Sequence, residues 1–166
     1  MAALIVLRGN SGSGKTTVAR ALQRRFGRGT LLISQDDVRR NMLWVRDEPG
    51  NAAIPLLTAL VEYGFAHADV TILEGILYAD SYRAVFARAR QLYGNAIFAY
   101  YFDLPFEETL KRHQTKPNRD EFGEEAMRRW WREGDYSELL EETTIGPERS
   151  QEEIVEGILR DVRGNA

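Results

Sequence analysis

Glycine and serine are concentrated in one short stretch of the chain, and a lysine and two threonines follow at once. Residues 9–16 read GNSGSGKT, which fits the pattern G-x-x-x-x-G-K-[ST]. Glycines let the backbone curl so that successive N–H groups point inward at phosphate oxygens, and the next helix adds the positive end of its dipole. Lys15 is then placed to neutralise the β- and γ-phosphates of a nucleoside triphosphate, and the Thr16 hydroxyl to ligate Mg²⁺.

The flanks of this stretch agree with a phosphate-binding loop. The apolar run Leu4–Leu7 precedes it, and the amphipathic helical pattern Lys15–Phe26 follows it. A dinucleotide-binding turn would read G-x-G-x-x-G, but threonine stands in its last position here. A flexible turn without a ligand is the alternative. We predict nucleotide binding by these consecutive residues: Gly9, Asn10, Ser11, Gly12, Ser13, Gly14, Lys15, Thr16 and Thr17.

Acidic residues stand near the ends of two further apolar runs that are typical of buried strands. Asp36 and Asp37 follow Thr30–Ser34, and Glu74 lies within Val70–Leu77. Ligands of parallel sheets bind beyond the carboxyl ends of the strands, so Asp36 is expected beside the loop. A carboxylate there can accept the proton of a hydroxyl that attacks phosphorus. Alternatively, one of the two aspartates caps the next helix.

Three more residues are predicted to face a phosphoryl acceptor together with Asp36. Arg39 lies three residues after Asp36 and shares its helical face, where it can hold the acceptor or a phosphate on it. Glu74 can hold Mg²⁺ through water or bind acceptor hydroxyls. The alternative for Glu74 is a partly exposed acid at a strand end. Tyr78, just beyond the same run, is the third candidate.

Apolar runs alternate with helical patterns along the chain. Ile97–Leu104 and the weaker Glu142–Ile145 complete a set of five predicted strands. The helical patterns are Lys15–Phe26, Asp37–Val45, Ile54–His67, Ser81–Tyr93, Pro105–His113, Glu124–Arg132 and Gln151–Val162. Strands that alternate with helices form a parallel sheet with right-handed crossovers. We predict a single α/β domain over residues 1–166.

One charged segment interrupts this alternation. Residues 112–135 read RHQTKPNRDEFGEEAMRRWWREGD and contain no strand pattern. A mobile cover of this kind would exclude water, so that a phosphoryl group reaches an acceptor instead of water. Arg112, Lys116 and Arg119 are candidates to contact the nucleotide phosphates and to spread the charge of the transition state. A solvated charged face is the alternative.

Composition narrows the classes of function. The formal net charge of −3 does not favour non-specific binding of nucleic acid. The absence of cysteine excludes zinc–thiolate sites and thiol catalysis. No apolar run approaches the ~20 residues of a membrane span, and MAALIVL does not read as a signal peptide, so a cytoplasmic location is expected.

With these motifs, the chain resembles P-loop kinases of the group that contains zeta toxins, chloramphenicol phosphotransferase, gluconate and shikimate kinases, and the kinase domain of phage polynucleotide kinase. The resemblance rests on the loop, on SQDDVRR at 34–40 and on LEGIL at 73–77. It implies a three-layer P-loop NTPase fold with a five-stranded parallel sheet in the order 2-3-1-4-5 and a helical lid at 112–135. It also implies ATP with Mg²⁺ as the donor and Asp36 as the general base. The spacing of Asp36, Asp37 and Arg39 is similar to that in polynucleotide kinase, where the arginine contacts the acceptor.

The sequence therefore favours an enzyme that moves the γ-phosphate of ATP to a hydroxyl of a small molecule such as a metabolite, nucleoside, sugar or antibiotic. Its predicted catalytic residues are Lys15, Asp36 and Arg112, with Lys116 and Arg119 as further nucleotide contacts. A polynucleotide 5′-hydroxyl kinase is one alternative, which the D-D-x-R spacing favours and the net charge does not. A non-catalytic ATP sensor is the other, but a sensor has no need of an aspartate beside the phosphate.

Overall fold

A parallel β-sheet lies at the centre of the protein, whose computed structural model describes residues 2–165. Its strands are β1 (Ala3–Gly9), β2 (Leu31–Ser34), β3 (Val70–Gly75), β4 (Ile97–Phe102) and β5 (Thr143–Ile145). They pair in the order β2-β3-β1-β4-β5, and every pair is parallel. This confirms the predicted α/β class and the strand order that the resemblance implied.

Helices cover both faces of the sheet. They are α1 (Lys15–Phe26), α2 (Gln35–Asp37), α3 (Ala53–His67), α4 (Arg83–Tyr93), α5 (Phe106–His113), α6 (Glu124–Trp130) and α7 (Gln151–Gly164). Successive strand residues point to opposite faces, so Leu4 and Val6 join the core under α3 and α4, whereas Ile5 and Leu7 join the core under α1 and α7. Burial on both faces explains why β1 is a continuous apolar run rather than an alternating one. No helix within residues 2–165 is long and apolar enough to cross a membrane.

The largest difference from the predicted elements follows β2. The helix expected over Asp37–Val45 begins as α2 at Gln35 and continues as a π-helix over Val38–Leu43. Ser34 caps α2, because its hydroxyl accepts the Asp37 N–H at 3.5 Å. The alternative in which an aspartate caps this helix is therefore wrong, and both carboxylates are available for other contacts.

Two strands end earlier than the apolar runs predicted. β3 ends at Gly75 rather than at Leu77, and Leu77 takes a left-handed φ of 48°, which an extended strand does not allow. β4 ends at Phe102 rather than at Leu104, three residues before Pro105, the N-cap residue of α5. Apolar character continues past both strand ends because the following loops also pack into the core.

A fully buried arginine joins β1 to the end of the charged segment 112–135. Arg8 Nε donates to the carbonyl of Leu77 at 3.0 Å, and Nη1 donates to Glu142 at 2.7 Å. Nη2 donates to the backbone and carboxylate oxygens of Asp135 at 2.8 and 3.1 Å. The guanidinium also lies against the rings of Phe86 and Tyr101. A buried charge is tolerated only when it is paired in this way.

We predict that Arg8→Met lowers the free energy of unfolding by about 3–5 kcal/mol, because Glu142 would stay buried without its partner. Urea unfolding followed by circular dichroism measures this. The matched control is Arg25→Met, since the Arg25–Glu156 pair is equally short at 2.6 Å but about half exposed on both sides. That control should lose less than about 1 kcal/mol. Equal losses in the two variants would contradict the structural role of Arg8.

Candidate active site

The glycine-rich stretch forms a tight loop between β1 and α1, as its sequence pattern indicates. Gly9, Gly12 and Gly14 have φ values of 143°, 80° and 93°, which disfavour residues with a Cβ. Space is limiting as well: a Cβ on Gly12 would lie 2.5 Å from the carbonyl oxygen of Thr109. The glycines therefore let the loop turn sharply while it lies directly against α5.

Lys15 lies inside this loop rather than in solvent. Its ammonium group donates to the carbonyl oxygen of Asn10 at 2.8 Å and to the Ser13 hydroxyl at 3.0 Å. Burial lowers the pKa of Lys15 to about 7; Glu74 acts in the opposite direction, and Lys116 adds to the lowering. Both hydrogen-bond partners of the Lys15 ammonium group are uncharged, so an anion in the loop would stabilise its charged form.

Glu74 lies beside the first residues of α1. The hydroxyl of Thr16 donates to Glu74 Oε2 at 3.1 Å, while Oε1 is buried without a hydrogen-bond partner. The residue is only 2% exposed, so the alternative of a partly exposed acid at a strand end is wrong. An unpartnered buried carboxylate oxygen is costly, which marks this position as one that a cation would stabilise.

Thr16 and Glu74 fit a magnesium site. Both offer oxygen ligands, and Mg²⁺ usually takes one or two protein oxygens together with substrate phosphates and water. No cluster of three or more His, Cys, Asp or Glu residues suited to a metal exists within residues 2–165, so a cage made of protein side chains alone is not expected there. The donor set agrees with a metal that arrives with a nucleotide.

A cavity of about 430 Å³ opens beside the loop and brings most of the predicted site residues together. The predicted residues that line it are Ser11, Gly12, Lys15, Thr16, Asp36, Arg39, Glu74, Tyr78 and Lys116. We call it the acceptor cavity, because its lining includes the four residues predicted to face a phosphoryl acceptor: Asp36, Arg39, Glu74 and Tyr78. Asp37 does not line it and instead pairs with Asn41.

Asp36 is about half exposed at the wall of the acceptor cavity. Its Oδ1 accepts a hydrogen bond from Arg39 Nη2 at 2.8 Å, and it forms an ion pair with Arg40, whose Nε lies 2.9 Å away. Arg39 is held in turn through Nη1, which donates to the carbonyl of Val45 at 3.2 Å. Since both arginines bind the same oxygen, the other carboxylate oxygen of Asp36 is free of their side chains.

A second cavity of about 470 Å³ lies on the other side of the loop, and we call it the nucleotide cavity. Ser13, Gly14, Thr17 and Arg112 line it, and Arg112 Nη1 donates to the Ser13 carbonyl at 3.2 Å. Lys116 lines both cavities and therefore lies between them. Burial lowers its pKa, whereas Glu74 and Asp36 act in the opposite direction.

Three predicted nucleotide contacts, Gly9, Asn10 and Arg119, line neither cavity. The Arg119 side chain is mostly exposed, and its Nε lies 4.0 Å from Asp120 Oδ1. Asn10 turns its side chain away from the loop interior, because Nδ2 donates to the Arg132 carbonyl at 2.6 Å and Oδ1 accepts the Arg132 N–H at 3.0 Å. In this conformation Asn10 joins the loop to the charged segment.

Sequence reasoning missed a buried hydrogen-bonding network at the floor of the acceptor cavity. The Tyr82 hydroxyl donates to Asp47 at 2.6 Å, and Gln35 Nε2 donates to both Tyr82 and Asp47, at 2.9 and 3.2 Å. Burial, together with the Asp47 bond, raises the pKa of Tyr82 to about 12. DEPG at 47–50 reads as a turn, and nothing in that pattern indicates that Asp47 lines a cavity.

Tyr78 contributes its ring to the acceptor cavity while its hydroxyl is occupied. That hydroxyl donates to the carbonyl of Trp130 at 2.8 Å, and the Arg132 guanidinium lies 4.0 Å from the ring centre. Burial, with a contribution from Asp47, raises the pKa of Tyr78 to about 12. Tyr78 therefore stays protonated and links β3 to α6.

The fold is shared with several solved kinases. A gluconokinase from Sinorhizobium meliloti 1021 is 18% identical with a TM-score of 0.64, over 99% of this chain and 93% of that one. An APS kinase from Mycobacterium tuberculosis, in complex with AMPPNP and APS, is 20% identical with a TM-score of 0.64, over 98% of each chain. A shikimate kinase from Acinetobacter baumannii, in complex with shikimate, is 19% identical with a TM-score of 0.62, over 99% and 95%.

A family comparison adds a match in sequence. No curated protein sequence matches the chain significantly. The narrower resemblance to zeta toxins and chloramphenicol phosphotransferase stays a prediction. A family model described as an AAA domain matches residues 4–135, which include the glycine-rich loop, Asp36, Glu74 and the charged segment. The chain therefore belongs to this AAA-domain family.

Proposed function

We propose that the protein is a kinase that transfers the γ-phosphate of ATP, with Mg²⁺, to a hydroxyl of a small molecule. The observation that carries the proposal is the content of the acceptor cavity. Lys15 and Thr16 of the phosphate-binding loop face it together with the buried Glu74 and the aspartate Asp36. Phosphate binding, metal binding and proton acceptance are thus available at one place.

The nucleotide cavity supports ATP as the donor. It adjoins the backbone of Ser13 and Gly14, so a nucleoside can occupy it while its phosphates reach into the loop. Arg112 already lies over the loop, and Lys116 lies between the two cavities. Both cations would face the γ-phosphate as negative charge spreads over its oxygens during transfer. The cited APS kinase structure holds a nucleotide analogue together with its acceptor on the same fold.

Asp36 serves as the general base in this proposal. A hydroxyl in the acceptor cavity attacks the γ-phosphorus, the new O–P bond forms, and the bond from phosphorus to the bridging oxygen of ADP breaks. The Asp36 oxygen that is free of the two arginines accepts the hydroxyl proton. Arg39 and Arg40 hold the carboxylate in place throughout.

Thr16 and Glu74 would hold the magnesium ion, and the bound ion supplies charge neutralisation between the β- and γ-phosphates. Glu74 keeps one oxygen unpartnered for this purpose. Phosphate binding has a second effect on the chain itself. An anion beside Lys15 favours its charged form, so the pKa of Lys15 rises when a nucleotide binds.

We predict that Asp36→Asn retains ATP binding and loses about 100- to 10,000-fold in kcat for phosphoryl transfer, because an amide cannot accept the proton. Asp37→Asn is the matched control, since Asp37 adjoins Asp36 in sequence but does not line the cavity. Calorimetric titration with an ATP analogue measures binding, and labelled γ-phosphate measures transfer. Wild-type transfer by Asp36→Asn would contradict the role of Asp36 as the base.

The function itself is tested by the transfer of labelled γ-phosphate across a panel of nucleosides, sugars, antibiotics and 5′-hydroxyl oligonucleotides. Lys15→Ala serves as the blank. A labelled acceptor that is absent from the blank supports the kinase and names its acceptor class. Tight ATP binding with no labelled acceptor, and no ATP hydrolysis above the blank, would favour the sensor alternative.

We also predict a proton uptake on nucleotide binding. Burial lowers the pKa of Lys15 to about 7 in the free protein, whereas a bound phosphate favours the charged form. Nucleotide binding should therefore take up protons at pH 8, and affinity should fall as pH rises above 7. Calorimetry in buffers of different ionisation enthalpy measures the uptake. Lys15→Arg, which stays charged, is the control; equal uptake by both proteins would contradict the prediction.

A further inference from the structure

Trp44 is the most exposed of the large apolar side chains described, at 92%, and only Tyr63, Phe65 and Tyr136 among the other aromatic residues described are also exposed. It ends the π-helix with φ 53° and ψ 49°, a left-handed conformation that costs a bulky residue free energy. Neither the exposure nor the conformation helps folding. Features that oppose folding in this way concentrate at ligand-binding sites.

The backbone around Trp44 is held firmly. The Val45 N–H donates to the Arg39 carbonyl at 2.9 Å, and the Val45 carbonyl accepts from Arg39 Nη1 at 3.2 Å. Leu43 and Val45 pack against the core on either side of Trp44. Because both neighbours face inward, the indole is presented outward by a fixed turn rather than by a loose loop.

Trp44 lies in a groove that adjoins the acceptor cavity. The groove has a volume of about 460 Å³ and is lined by Trp44, Val45 and three arginines, Arg39, Arg40 and Arg46. The same three arginines also line the acceptor cavity. The acceptor cavity and the groove therefore adjoin at these arginines. A ligand whose reacting hydroxyl lies beside Asp36 can extend past the arginines and reach the Trp44 indole.

The outer arginines of this groove are available to bind an anion. Arg46 is almost fully exposed, and its one ion pair, with Glu48, is long at 3.9 Å and exposed on both sides. Such pairs are weak, so an anionic ligand can replace Glu48 easily. Arg40 pairs with Asp36 through Nε at 2.9 Å, but its Nη1 makes only a weak contact of 3.8 Å with the exposed Glu121, so that end of the guanidinium can take a phosphate while Nε stays with Asp36. Planar guanidinium groups bind phosphate in a bidentate manner.

We propose that Trp44, Arg40 and Arg46 form an outer part of the acceptor site that takes a nucleoside phosphate. The base stacks on the Trp44 indole, the phosphate binds the two arginines, and a hydroxyl of the same molecule lies beside Asp36. Stacking on an exposed indole suits any base, because every base has a π-face. This inference deepens the proposed function and rests on it: the small-molecule acceptor is a mononucleotide.

Binding is measured without transfer, so that the two proposals fail separately. The full chain is saturated with ADP and Mg²⁺ and titrated calorimetrically with nucleoside 3′-monophosphates, with 5′-hydroxyl trinucleotides and with ribose 5-phosphate, which lacks a base. We expect Trp44→Ala to weaken binding of the base-containing probes roughly tenfold and Trp44→Phe to retain it. Binding of ribose 5-phosphate should not respond to either change. Tyr63→Ala, at another exposed aromatic, is the matched control and should bind as the wild type does.

Arg46→Gln tests the phosphate contact. The substitution should weaken the binding of the nucleotides and of ribose 5-phosphate to the same extent. The matched control is Arg83→Gln, which breaks a similar exposed ion pair with Glu138 at 3.8 Å and should leave the binding of both probes unchanged. Tighter binding of the trinucleotides than of the mononucleotides would overturn the mononucleotide acceptor and favour the polynucleotide 5′-hydroxyl kinase. Unchanged nucleotide binding by Trp44→Ala, or transfer only to acceptors without a base, would overturn the inference and leave the kinase intact. Binding as expected with no phosphoryl transfer would overturn the kinase instead.

Discussion

The buried charge of Arg8 is the constraint on which the arrangement of the site depends. Arg8 stands one residue before the phosphate-binding loop, and its oxygen partners come from three separate segments: Leu77 after β3, Asp135 at the end of the charged segment, and Glu142 before β5. A guanidinium in this position is stable only when all of them are present. One side chain therefore fixes the base of the loop relative to the structures that surround it.

This constraint reaches the acceptor cavity through the backbone. Leu77 has a left-handed φ of 48°, and the hydrogen bond that its carbonyl accepts from Arg8 Nε stabilises that conformation. The next residue, Tyr78, is thereby directed across the cavity to Trp130, while Asn10 binds the backbone of Arg132 from the loop side. The carboxyl-terminal part of the charged segment is thus tied to the phosphate-binding loop.

The local sequence pattern predicted the glycine-rich loop and helix α1, whereas the features that were missed depend on contacts between residues distant in sequence. Helix α1 has the predicted bounds because its amphipathic periodicity and the glycines that flank it are local features of the sequence. Gln35, Asp47 and Tyr82 were missed because their network joins residues that are distant in sequence. The π-helix was missed for a similar reason, since tertiary packing of its neighbours rather than propensity selects it. The burial of Glu74 likewise follows from sheet pairing, which a strand pattern alone does not give.

The phosphate-binding loop and the acceptor cavity also differ in whether backbone groups or side chains form them. The nucleotide side consists largely of backbone groups in a loop that glycine makes possible, so few side chains can change without loss of the loop. The acceptor side consists of side chains between β2 and α3, such as Asp36, Arg40 and Asp47, on an irregular backbone. Substitutions there alter charge and shape without disturbing the sheet or the loop. In the proposed function, the stretch from residue 35 to residue 48 is therefore where we expect the choice of acceptor to be set.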